Sequence, residues 1–319
     1  MAARLDTLAA PSDRLTALQW LRRNLFDGVW NALLTVLTAA LLAWIGGSAL
    51  LWARTAHWNV ITDNLRFWLV GLMPVELIPR ALWAGGLVAV MAVLTLVGRR
   101  LRVPARGLAG AWGGILIAVL WIMAPIRLDQ VGGFYLTILL AVVAIAASFP
   151  VGVLVGIGRV SALPVVRYAA TAYIELIRGV PFIAVLLWFS IFVSLISGDA
   201  LTKVQRAMIA MTIFSSAYVG EIMRAGIEGV PRGQVEAARA VGLSTARTMW
   251  HIVLPQAFRN MIPALVGQFI SLFKDTSLTV IIGLTELVGT GRALLSITSY
   301  LHDVREVFVF LLVVFFICS

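Results

Sequence analysis

The chain has very little of what metal or thiol chemistry draws on. Of its 319 residues one is cysteine, Cys318, and three are histidine, His57, His251 and His302. A lone cysteine excludes an intrachain disulfide and any cysteine-based metal cluster. The histidines are scattered, with no H-x-x-x-H or H-E-x-x-H spacing, and no Gly-rich Lys/Ser phosphate loop is present. The chain therefore shows no engine for ATP hydrolysis and no bound cofactor is expected. Charge is scarce as well. Only 13% of residues are charged, where a soluble domain carries about a quarter.

What is there is oil. Hydrophobic residues make up 61% of the chain and the mean hydropathy is +0.97. This composition predicts an all-α polytopic membrane protein in contact with lipid, for which soluble domain counting does not apply. Basic residues outnumber acidic ones 25 to 15. That surplus falls mostly in loops between apolar runs, the pattern of cytoplasmic loops rather than of a nucleic-acid partner. Met1–Asn24 is mixed and polar, with Arg4, Arg14, Arg22 and Arg23, so it is not a cleavable signal.

A spanning helix needs about 20 mainly apolar residues. Eight runs qualify: Val29–Trp52, Ala81–Val97 (extending back towards Leu77), Leu108–Ala124, Phe134–Ile157, a run within Ala170–Ile196 containing Pro181, Val204–Met223, Ile262–Leu287 interrupted at Lys274-Asp275, and one from Val304 onward. Trp68–Pro79 is also apolar, but Pro74, Glu76 and Pro79 mark it as a surface or re-entrant segment rather than a ninth span. The final run is short and has no basic stop, which suggests a missing C-terminal tail, since carbonyls ending in hydrocarbon would go unpaired.

Arginine sets the topology. Arg99, Arg100, Arg102 and Arg106 share a short loop without an acid, so that loop is expected to be cytoplasmic. Alternation then puts the N-terminus inside, Ile126–Gly133 outside, Arg159–Arg167 inside, Ser197–Lys203 outside and Arg224–Arg259 inside. The last of these carries five arginines against Glu228 and Glu236. Ala53–Arg80, expected outside, fits least well.

The polar stretch Gly233–Pro263 stands out between apolar runs. Val235, Ala238, Val241 and Gly242 recur at helical spacing, predicting a short helix over Val235–Ala246. Ala237, Ala238 and Ala240 are small enough to let another protein surface approach. Gly242 permits a turn, Ser244 can cap a second helical stretch through Trp250, and Leu254-Pro255 is expected to end it. Such a helix–glycine–helix unit transmits a push better than a loose loop. The plainer reading is an interfacial amphipathic helix with no partner.

EAARAVGL at Glu236–Leu243, followed by LPQAFR at Leu254–Arg259, resembles the signature cytoplasmic loop of permease subunits of ABC importers. Tyr173–Trp188, Ala217–Pro231 and Ser271–Leu287 resemble the polar amino acid uptake branch, and Gly133–Arg159 resembles that branch's first core helix. The resemblance covers residues 130–319. It implies a type I ABC importer permease core at 126–319, with a coupling loop at 224–259. The segment 1–125 would be an extension of three spans, similar in layout to the long N-terminal region of a permease in general L-amino acid transporters. It further implies a bacterial inner-membrane location, a second homologous permease subunit, two ATP-binding subunits that use the ATP, and a periplasmic amino acid-binding protein. Residue by residue, Glu236, Ala237, Ala238 and Gly242 match the signature and are the expected ATPase-coupling positions.

Other polar residues leave two readings open. Glu175 and Arg178 are three apart and precede Gly179 and Pro181. They form either part of a cytoplasmic gate or assembly contact, or an ordinary interfacial pair. The broken turn there is expected to be buried in protein, because it frees a carbonyl. Lys274, Asp275, Thr276 and Ser277 either line the solute pathway or form a structural cluster near the interface. Glu221 and Arg224 read as a helix-end salt bridge in preference to a solute contact. Glu286 faces either the pathway or the periplasm. The tryptophans of the N-terminal third read as interface anchors, with Trp44 and Trp112 as packing candidates. Against active import stand two alternatives: a self-contained secondary transporter or channel, and a membrane scaffold without transport.

Overall fold

In a computed structural model, the described residues are 16–100 and 104–319, and they are helical throughout, with one isolated bridge between Gly133 and Glu286. Arg4, Arg14 and Arg102, used above for topology, lie outside the described residues, as do the side chains of Arg99 and Arg106. In chain order the helices are α1 Ala17–Leu25, α2 Val29–Thr55, α3 Asn59–Thr62, α4 Leu65–Val70, α5 Ile78–Arg100, α6 Ala105–Met123, α7 Gly133–Arg159, α8 Pro164–Arg178, α9 Phe182–Ser197, α10 Lys203–Glu228, α11 Arg232–Ala240, α12 Thr245–Thr248, α13 Leu254–Asp275, α14 Leu287–Leu295 and α15 Val304–Cys318.

All eight expected spans fall on helices, but not always as expected. By length and hydropathy, four helical runs are able to cross a membrane: Val29–Thr55, Val75–Gly98, Gly133–Arg159 and Thr245–Ile282. The run within Ala170–Ile196 is not one helix. It is α8 and α9, meeting at 99°. Pro181 holds the extended N-cap conformation (ψ 139°), and the residue before a proline avoids the helical region, so α8 ends at Arg178. The turn is exposed rather than buried as expected. Around it, Gly179 N donates to Glu175 O and Ala184 N to Pro181 O, both at 2.9 Å.

α10 is polar for a span, with Thr212, Ser215 and Ser216 along it. Thirteen of its residues are buried, more than on α7 or α13, so protein rather than lipid surrounds it. One apolar core joins α7, α9 and α10 through Leu136, Leu140, Leu186 and Met211. A second joins α10 to α13 through Val219, Met223, Leu254 and Met261. A third is made by Val60, Ile61 and Trp68 with Leu287, Leu294, Val307 and Leu311.

That third core joins residues 60–68 to the C-terminal helices, and by packing the described residues form two compact units, 16–57 and 58–319. Trp68, 1% exposed, donates from Nε1 to Val60 O at 3.2 Å and meets Phe310 edge-on, with ring centroids 4.7 Å apart. The stretch Trp68–Pro79 forms no ninth span: α4 ends at Gly71, and a short 3-10 turn, Val75–Leu77, leads into α5. Within the smaller unit, a Thr16–Gln19 capping box opens α1, and α2 has no buried residue. Trp112 reaches α5, donating to Thr95 Oγ1 at 3.0 Å, whereas Trp44 is exposed.

Candidate functional site

The polar loop folds as a closed unit. α11 starts three residues earlier than predicted, after Pro231, and stops at Ala240 rather than Ala246. Gly242 ends it with φ +81°. Leu243 N donates to Ala238 O at 3.0 Å and Gly242 N to Arg239 O at 2.9 Å, the paired bonds of a Schellman turn. A Cβ at Gly242 would meet open space, so the glycine is needed for its backbone conformation. Ser244 Oγ caps α12, accepting from Arg247 N at 3.5 Å.

Leu254-Pro255 does not end the second helix as expected. A π turn at Met249–Val253 carries the chain straight on into α13, and Pro255 occupies its first turn. Widening the helix by one residue gives room for a proline that has no N–H to donate. The loop is thus a short helix fixed to the N-terminal end of a long one. Glu236, Ala237, Ala240 and Val241 face outward, and Val241 is 77% exposed. Ala238 is the exception among the expected coupling positions. It is 5% exposed, so its small side chain seats α11 on its own chain.

Beside this unit, α7, α8 and α10 end in a cluster of six charges. Arg159 donates to Glu221 at 2.7 Å and to Glu175 at 2.5 Å. Arg224 donates to Glu221 at 2.7 Å and also pairs with Glu228. Arg178 lies 3.8 Å from Glu221, with its guanidinium 5.3 Å from the centre of the Tyr218 ring. The expected Glu175–Arg178 pair is not made, because each side chain is claimed by a partner distant in sequence. Glu221 is the hub, serving Arg159, Arg178 and Arg224 while only 22% exposed. The Glu221–Arg224 bridge is present as expected.

The network depends on a packing feature that the sequence reading passed over. Gly152 and Gly156 form a G-x-x-x-G pair on α7. Their backbone lies against Ser216, Val219, Gly220 and Met223 of α10, and a Cβ at Gly156 would come 2.6 Å from Gly220 O. That close approach brings Arg159 to Glu221. The signal was legible as spacing, and only the partner face was hidden.

Lys274–Ser277 is not a gap in the helix. α13 tightens into a 3-10 helix over Thr276–Ile282. The hydroxyls of Thr276, Ser277 and Thr279 donate back to Phe273, Lys274 and Thr276 carbonyls at 2.7, 2.7 and 2.8 Å. Thr276 and Thr279 are buried, Asp275 is half-buried and Lys274 is exposed, and Lys274 and Asp275 make no ion pair among the described residues. Glu286 is fully buried as the N-cap of α14, accepting from Val288 N at 2.8 Å and Gly289 N at 3.1 Å. Around it, Gly133 N donates to Thr285 O at 2.8 Å, Leu287 N to Thr137 Oγ1 at 3.0 Å and Gly132 N to Val70 O at 3.2 Å. These bonds tie α4, α7 and α14 into one knot at the end away from α11.

Comparison with known proteins places this architecture. The family described as "Binding-protein-dependent transport system inner membrane component" matches residues 148–319. The Escherichia coli inner membrane amino-acid ABC transporter permease protein YhdY is 32% identical over 94% of this chain and 89% of its own length. The glutamate/glutamine/aspartate/asparagine transport system permease protein BztC of Rhodobacter capsulatus is 29% identical over 97% and 92%. A crystal structure of an amino acid ABC transporter with histidines superposes with a TM-score of 0.53 at 30% identity, over 57% of this chain and 83% of that one. The match spans the helices that build the charge cluster and α11, and with multiple apolar helices behind it the chain belongs to the inner-membrane components of binding-protein-dependent transport systems.

Proposed function

We propose that this chain is a permease subunit of an ATP-driven amino acid importer, and that α11 couples it to the ATPase. The observation that carries this is the outward face of α11, closed by the Gly242 turn and joined rigidly through the π turn to α13. A push on Glu236, Ala237 or Val241 has no slack to absorb it. Amino acids as cargo are supported by the names of the relatives, YhdY and BztC. A second homologous permease, two ATP-binding subunits that hydrolyse the ATP, and a periplasmic binding protein complete the assembly. The charge-rich ends of α7, α8 and α10 are cytoplasmic, and so is the N-terminus, following the positive-inside pattern of the loops. Glu175, Arg178, Gly179 and Pro181 belong to the inner gate or its assembly contacts, with Glu221 as the residue that holds them together. Lys274, Asp275, Thr276 and Ser277 remain pathway candidates, Asp275 and Ser277 being the partly accessible ones.

The test is radiolabelled amino acid uptake into proteoliposomes holding the chain and its partners, with and without ATP. Uptake is expected to require ATP and to be lost in a Glu236→Arg plus Gly242→Pro variant that still assembles. Uptake by the chain without ATPase or binding protein would overturn the reading in favour of a secondary transporter or channel.

A further inference from the structure

At the other end of α10 from the charge cluster, a cavity of about 550 Å³ opens beside the knot. That is within the range of roughly 300–1,000 Å³ typical of small-molecule sites. One wall is the first turn of α10: Thr202, Lys203, Val204 and Arg206 all line it. A 26-residue helix presents partial positive charge at this end, where a Thr202–Gln205 capping box already meets the N–H groups of those two residues.

Arg206 supplies a second, independent pointer. It is 7% exposed, and its Nη1 donates to Leu201 O at 2.8 Å. Its Nε is shut off from solvent and has no acceptor. A buried charged donor left unmet is costly, and such groups usually await an anion or water. Lys203 is exposed and reaches across the cavity mouth, where its Nζ lies 3.7 Å from the position a Cβ would take at Gly283. The acid on the lining, Asp129, accepts two hydrogen bonds from Arg127 at 3.2 and 2.9 Å, so its charge is already matched. Lys203 and Arg206 have no counter-ion among the described residues. Apolar side chains, Val131, Leu136 and Leu284 among them, cover much of the remaining wall.

We propose that this cavity is a carboxylate site that takes a free α-amino acid on the side of the membrane away from α11. The carboxylate sits between the Lys203 ammonium, the Arg206 guanidinium and the start of α10. The apolar wall takes the side chain. The choice of an α-amino acid rests on the importer reading; the demand for a carboxylate rests on the cavity alone.

The test uses the full chain in lipid nanodiscs, without ATPase or binding protein, and radiolabelled L-glutamine in equilibrium dialysis. Binding is expected to be saturable, to be displaced by excess acetate and to be untouched by L-glutaminamide, which lacks the carboxylate. Lys203→Gln, at an exposed position, is expected to weaken it by about tenfold. Arg206→Lys keeps the charge but loses the planar fork and weakens it too, while Arg54→Gln, a charge control on α2, leaves it unchanged. Equal displacement by the amide, wild-type binding by Lys203→Gln, or no saturable binding overturns the proposal. So does a Lys203→Gln chain that binds glutamine normally but no longer docks a periplasmic binding protein, since the carboxylate would then belong to that protein. Carboxylate binding that persists while ATP-coupled uptake fails removes the importer reading and leaves the site standing.

Discussion

Glu221 carries more than its sequence neighbourhood suggests. Its pairing with Arg224 is readable from a three-residue spacing on a helix. Its pairing with Arg159, 62 residues away, exists only because α7 packs on α10. One partly buried carboxylate therefore serves three guanidiniums, and removing it leaves Arg178 without a carboxylate and Arg159 and Arg224 with one each, Glu175 and Glu228. Glu221→Gln is expected to cost about 1–3 kcal/mol, more than Glu228→Gln, whose side chain is 57% exposed. Thermal unfolding of both variants in nanodiscs checks the order; a larger loss for Glu228→Gln would refute the hub role. Glu286 makes the opposite point. A buried acid in a transporter invites a pathway reading, yet both its oxygens accept backbone N–H groups of α14. Glu286→Ala should cost about 1 kcal/mol as a lost N-cap, whereas Glu286→Asp should keep both stability and uptake. Uptake abolished by Glu286→Asp in a stable protein would show that the carboxylate does more than cap.

Among the elements, the α7–α10 pair sets the inner architecture, and its glycines are not interchangeable with those elsewhere. Gly152 faces Val219 so closely that an added Cβ would lie 2.5 Å from the valine Cβ, whereas nothing lies within 4 Å of the same atom at Gly113. Gly152→Ala is expected to destabilise by about 1–3 kcal/mol through overpacking. Gly113→Ala should be neutral or gain up to about 1 kcal/mol from helix propensity. Comparing the two unfolding midpoints separates packing from propensity; equal effects would discard the close-contact account. The bend between α8 and α9 and the π turn before α13 belong to this scale as well. Pro181 and Pro255 look alike in sequence, but one turns the chain by 99° and the other is absorbed in a continuous helix. A proline states only that a hydrogen bond is missing, and the surrounding packing decides whether the chain bends.

Across the whole molecule, the segment between the first two long helices is part of the body of the protein. Val60, Ile61 and Trp68 fill the core under α14 and α15. A chain beginning at Trp58 is expected to insert and fold, while one beginning at Val75 loses that core and should aggregate or be degraded. Expression in membranes followed by size-exclusion chromatography distinguishes them; equal behaviour of the two truncations would contradict the packing. The outer faces remain oily. Ile191, Leu195 and Ile196 of α9 are at least half exposed, as lipid or a second permease subunit requires.

Composition and periodicity determined most of the elements by themselves. The membrane class, most of the long apolar helices, and a short helix in the polar loop with a turn at Gly242 follow from local rules. Hydrocarbon demands long apolar helices, and a left-handed residue demands glycine. Tertiary structure decided the rest. It turned Ala238 inward, took Glu175 and Arg178 from each other, and buried Glu286 as a cap. It also placed Lys203 and Arg206 beside one cavity. Each of these depends on which helix faces meet, and a single sequence records the faces without saying which of them pair.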